Sequence, residues 1–153
     1  MLTSRVHRRN DLGGHRGSAM HGLWSGLMKL FVPLALALVA LLHALPLAGV
    51  LGAAKLSKLY GVDARDPALE LLLRHRAVLF GLLAALLAWA AWQPALRGLG
   101  LVAGLVSVAS FLLLALQAGP LSSALGTVFK LDVFALILLL AAGIVHLLTT
   151  PSQ

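Results

Sequence analysis

Residues 30–51 read LFVPLALALVALLHALPLAGVL, a stretch without a single Asp, Glu, Lys or Arg. As an α-helix rising 1.5 Å per residue it is about 33 Å long, which matches a bilayer hydrocarbon layer of about 30 Å. A helix on the outside of a water-soluble protein keeps one polar face, and this one has none. Its end at Gly52, Ala53 and Ala54 has the small residues of a signal-peptide cleavage site. The apolar core is longer than such peptides carry, so the stretch is read as a first membrane span.

Outward from it, three more apolar runs follow at about 72–92, 98–116 and 128–148. The second has a polar lead from Pro67, and each run approaches spanning length once its flanking turns are included. The connections are a loop over 52–66, a tight turn at Gln93-Pro94 and a Gly-Pro-Ser-containing loop over 117–126. Short links between neighbours predict an all-α fold, an antiparallel up-down-up-down four-helix bundle embedded in the membrane over 29–149. Asp66 is the expected N-cap of the second helix, with Pro67 at the first helical position and Glu70 near the positive end of the dipole.

Composition agrees with this reading. The chain of 153 residues is 60% hydrophobic and 11% charged, against about 25% charged in soluble domains. With Cys absent, disulfides, thiolate nucleophiles, iron–sulfur clusters and Cys-ligated zinc are excluded. The formal charge of +7 does not point to nucleic acid, because the basic residues lie in a tail and at the ends of apolar runs, where they meet lipid headgroups.

Residues 1–28 form a polar lead containing Arg5, Arg8, Arg9 and Arg16, with no helical apolar period, and are expected to be disordered. Met20 and Met28 are alternative starts to Met1. The pair Arg8-Arg9 is similar to a twin-arginine export signal, but the apolar run begins too far downstream. Residues 150–153 form a short tail. If the lead and the Gln93 turn share one side of the membrane, that side holds Arg5, Arg8, Arg9, Arg16, Lys29 and Arg97. The other holds Lys55, Lys58, Arg65, Arg74, Arg76 and Lys130, so the positive-inside rule is balanced. Both termini are assigned to the cytoplasm, because Arg74 is expected in an internal ion pair and most acidic residues accompany the first loop.

Helices in lipid approach through small residues, whose rows mark the inner faces. Such rows are Ala77, Gly81, Ala84, Ala85 and Ala88 on the second helix; Gly100, Ala103, Gly104, Ser107 and Phe111 on the third; and Asp132, Leu136, Leu139, Gly143 and His146 on the fourth. Extended toward its N-terminus, the second row reaches Arg74 and Glu70, while Arg76 is expected to snorkel to the headgroups. Antiparallel threading then brings Glu70, Arg74 and Asp132 to one end of the bundle. His43, three residues before the helix-breaking Pro46, joins them, and the four form a candidate polar pocket. The alternative for Glu70 and Arg74 is an ordinary i,i+4 pair at a wet helix end. The alternative for His43 is simple satisfaction of a backbone group.

His75 and His146 are secondary candidates. Their depths do not match that of His43, so bis-His haem is not expected, and no pair has a metal-binding spacing. No catalytic residue, metal or resident cofactor is predicted. No hydrolase elbow, phosphate loop or zinc-protease motif is present.

The segment Leu59-Tyr60-Gly61-Val62 leading to Asp66-Pro67-Ala68-Leu69-Glu70-Leu71-Leu72-Leu73-Arg74-His75-Arg76-Ala77-Val78-Leu79-Phe80-Gly81 resembles a family of small, mostly uncharacterised bacterial inner-membrane proteins. The similarity extends through the remaining helices to about Leu148. Some members carry the name phosphopantetheine adenylyltransferase. The enzyme of that name is a soluble α/β nucleotidyltransferase with a nucleotide-binding His motif after its first strand, which this sequence lacks, so the resemblance implies no such activity. The plan is also similar to that of DoxX-like four-helix proteins, an architectural likeness only. What the resemblance implies is a bacterial inner-membrane location, with no catalytic role carried onto any residue. The expected function is that of a non-enzymatic accessory or small-ligand-binding membrane protein, alone, as a homo-oligomer or with a membrane-protein partner. The alternative is a redox or proton-transfer component that binds a quinone-like amphiphile.

Overall fold

The computed structural model describes residues 11–52 and 66–149. Four long helices carry the chain: α1 over Asp11–Ala44, α2 over Pro67–Trp92, α3 over Arg97–Gln117 and α4 over Ser123–Thr149. Among the described residues there is no strand. Four helical stretches, Met28–Leu51, Pro67–Trp92, Pro94–Gln117 and Ser123–Thr149, are long and apolar enough to cross a membrane.

The first helix corrects the expectation for the lead. It is described from Asp11 onward, so residues 11–28, read as disordered, are helical. Once a span is nucleated, each outward residue costs little, and a weak helix former can be carried along. At the other end the α-helix stops at Ala44 and tightens into a 3-10 helix over Leu45–Leu51, with Pro46 in its first turn. Proline has no N–H for the Leu42 carbonyl and its ring crowds that position, so the regular ladder ends there. Gly52, at φ 118°, closes the segment by donating its N–H to the Gly49 carbonyl at 3.3 Å.

The start of α2 is as the residues predict: the Asp66 carboxylate accepts the Leu69 N–H at 2.8 Å, Pro67 opens the helix and Glu70 lies in its first turn. A 3-10 turn over Pro94–Leu96 reverses the chain into α3. The loop expected over 117–126 is shorter than that, because α4 starts at Ser123. The Ser122 hydroxyl accepts the Leu125 N–H at 3.3 Å and supplies the cap that starts α4.

Helix α1 lies against all three others and α3 touches both α2 and α4, whereas the α2 and α4 backbones do not meet among the described residues. The shared core contains Leu36 and Val39 of α1, Leu87 of α2, Val108 of α3 and Leu139 of α4, all essentially inaccessible. Two glycines permit its closeness. A Cβ on Gly100 would lie 2.6 Å from that of Ala90, and one on Gly104 would lie 3.1 Å from Leu139 Cδ1.

The small-residue rows locate these faces only partly. On α2 the buried stripe is Ala77, Ala84, Leu87 and Ala90, while Ala85 and Ala88 are exposed. The buried face keeps Ala77 and Ala84 of the expected row but turns toward Leu87 and Ala90 and away from Ala85 and Ala88. Gly81 packs beneath Leu47, with a hypothetical Cβ 2.8 Å from Leu47 Cδ1. On α4 the stripe is Ala135, Leu139 and Ala142, and Gly143, expected at a packing seam, has nothing within 4 Å of a hypothetical Cβ. The outer faces are apolar, and Trp89 and Trp92 are 66% and 87% exposed at the end of α2. Indole rings in such positions sit at the membrane–water boundary.

Candidate functional site

His43 is the one buried polar or charged residue among those described, at 5% exposure. It falls on the α1 face that holds Val32, Leu36 and Val39, one turn beyond Val39. Its Nδ1 lies 2.9 Å from the Val39 carbonyl oxygen, and its Nε2 lies 3.2 Å from Ser107 Oγ on α3. The ring also packs on Phe80 of α2, with centroids 5.6 Å apart and planes tilted by 51°. The imidazole therefore ties together three helices and has both nitrogens engaged.

In front of Phe80 and Ser107 lies an open groove of about 480 Å³. Its polar lining is Arg76, Ser107 and Ser110, and its apolar walls include Phe80, Phe111 and Leu114. Ala118, Leu121 and Leu125 complete it from the α3–α4 connection and the start of α4. The Arg76 guanidinium stands over two rings, 5.1 Å from the centroid of Phe80 and 6.0 Å from that of Phe111. Such stacking retains a cation on an apolar surface, since the ring faces carry partial negative charge. Arg76 also interacts electrostatically with Asp132 of α4. It lies sixteen residues before Trp92, about 24 Å along the helix axis.

The candidate pocket of His43, Glu70, Arg74 and Asp132 is thus corrected. None of the four lines the groove: His43 sits behind it, in contact with Phe80 and Ser107, and Asp132 interacts electrostatically with Arg76 rather than Arg74. Arg74 is half exposed and pairs with Glu70 at 3.6 Å, the i,i+4 arrangement of a wet helix end. The error is one of phase. At about 100° per residue, Arg76 lies about 40° from the centre of the buried α2 stripe and Arg74 about 120° from it. A usable signal was present in the i,i+4 spacing of Arg76 and Phe80, which stacks the two side chains on one face.

His75 and His146 are not among the residues that line the groove. His75 is exposed on α2. His146 is near the end of α4, with its Nε2 3.7 Å from where a Gly98 Cβ would lie. Ser107, expected only as a packing residue, is the hydrogen-bond partner of His43, and its neighbour Ser110 donates to the Ser107 carbonyl at 2.8 Å. Among the described residues no three His, Asp or Glu side chains cluster as metal ligands do. The Tyr60 end of the segment that carries the family resemblance lies outside the described residues, as does the basic cluster of Lys55, Lys58 and Arg65. No family model, curated protein or solved structure matches the chain.

Proposed function

We propose that the protein is a multi-pass inner-membrane protein, an antiparallel up-down-up-down bundle with both termini cytoplasmic, which holds one small amphiphile in the groove between α2 and α3. Its role is non-enzymatic, as an accessory or ligand-carrying subunit. The observation that carries this reading is the stacking of Arg76 over Phe80 and Phe111 at a groove whose other walls are largely apolar. A cation held on aromatic faces inside a span orients a polar head, and apolar walls accept a tail.

The test is purification of the full chain in a mild detergent, followed by mass spectrometry of what is extracted from it. One amphiphile is expected to be enriched over bulk lipid and lost in Phe111→Ala. Lipid in bulk proportions in both proteins would sink the proposal. A second reading, redox or proton transfer with a quinone-like ligand, is favoured by Asp132, an acidic residue inside an apolar stretch that interacts electrostatically with Arg76. A co-purifying quinone would select it, whereas a stable partner protein recovered without one would select the accessory role.

A further inference from the structure

The hydrogen-bond directions behind the groove restrict what its ligand's head can be. The Val39 carbonyl can only accept, so His43 Nδ1 carries the proton and donates it there at 2.9 Å. No described carboxylate pairs with this buried ring, and a charge at such a position is strongly disfavoured. The imidazole is therefore neutral and its Nε2 is an acceptor. Across the 3.2 Å contact, Ser107 must donate its hydroxyl proton to that nitrogen. The Ser110 hydroxyl is committed as well, donating to the Ser107 carbonyl at 2.8 Å. Both serines line the groove, and with their protons turned to the protein they offer it oxygen lone pairs. Arg76 is the reverse, five N–H donors and no acceptor.

Given the amphiphile reading above, on which this rests, we propose that the groove selects a neutral head bearing a hydroxyl, such as a phenol or a long-chain alcohol. The hydroxyl proton goes to a serine oxygen while its own oxygen accepts from Arg76. A phosphate or carboxylate head fits poorly, since it turns negative oxygens toward serine lone pairs and meets a cation already opposed by Asp132. An ether or a fully oxidised dione offers no proton to the serines. Among quinone-like ligands the dihydroxy form is the one that fits.

The experiment is equilibrium binding of 4-dodecylphenol, its methyl ether and dodecyl phosphate to the full chain in phosphatidylcholine nanodiscs. The phenol is expected to saturate at one equivalent, about five- to tenfold tighter than the ether, the value of one hydrogen bond to an otherwise proton-poor site. Dodecyl phosphate is expected to bind more weakly than the phenol. Ser107→Ala should weaken the phenol and leave the ether unchanged, with Ser110→Ala as a second variant that keeps the His43–Ser107 pair. Equal affinities for phenol and ether, a preference for the phosphate, or equal losses for both probes in the serine variants would overturn the choice of head while leaving the amphiphile site standing. Failure of every probe to saturate would overturn both.

Discussion

Arg76 and Arg74 are separated by one residue and have opposite surroundings. Arg76 stands over two rings and interacts electrostatically with Asp132, whereas Arg74 shares a half-exposed pair with Glu70. Cation–π contact out of water contributes about 1–2 kcal/mol, and an i,i+4 ion pair about 0.2–0.5 kcal/mol. Arg76→Ala is therefore expected to destabilise the detergent-solubilised protein by about 1–2 kcal/mol and Arg74→Ala by less than about 0.5 kcal/mol. Thermal unfolding followed by circular dichroism distinguishes them, and equal losses would count against the placement of Arg76. At this scale the sequence was legible where a residue's environment follows from its own chemistry. For His43, satisfaction of a backbone group was one of two readings open, and its bond to the Val39 carbonyl matches that one. The choice between Arg74 and Arg76 depended on the rotation of α2, which alanines on both its buried and its exposed faces obscured.

At the scale of the helix, the same contrast separates two glycines. Gly100 has the Cβ of Ala90 2.6 Å from the place its own would occupy, and Gly143 has nothing within 4 Å. Gly100→Ala forces α3 away from α2 and is expected to cost about 1–3 kcal/mol, as overpacking does. Gly143→Ala adds a better helix former in open space and is expected to be neutral or to stabilise by up to about 1 kcal/mol. Chemical denaturation in micelles measures both, and a loss at Gly143 as large as that at Gly100 would mean that α4 is seated differently. Element starts were readable where one residue dictates them, as Asp66 and Pro67 do for α2. The start of α4 was not, because Gly119 and Pro120 look like loop and the cap depends on a single hydroxyl at Ser122. The outward extension of α1 was hidden for another reason. Its residues have no apolar period, and their helicity is inherited from the span that follows.

For the whole molecule, the four apolar stretches were visible because spanning length and the near absence of charge are properties of composition. Their mutual arrangement was not, since every helix is apolar around most of its circumference and hydropathy leaves its rotation open. Since Cys is absent, single cysteines report topology without background. Gln93→Cys and Ser122→Cys, at the two turns flanking α3, are expected to react with an impermeant maleimide from opposite sides of sealed vesicles. Labelling of both from one side would exclude a crossing by α3. The contact pattern adds a constraint in time. The helix that touches all three others, α1, is also the first of the four to be synthesised, so each later helix meets a partner that is already made. The molecule is thus suited to assembly in the order of its synthesis, and moving α1 to the end of the chain would leave α2 without its main support until translation was complete.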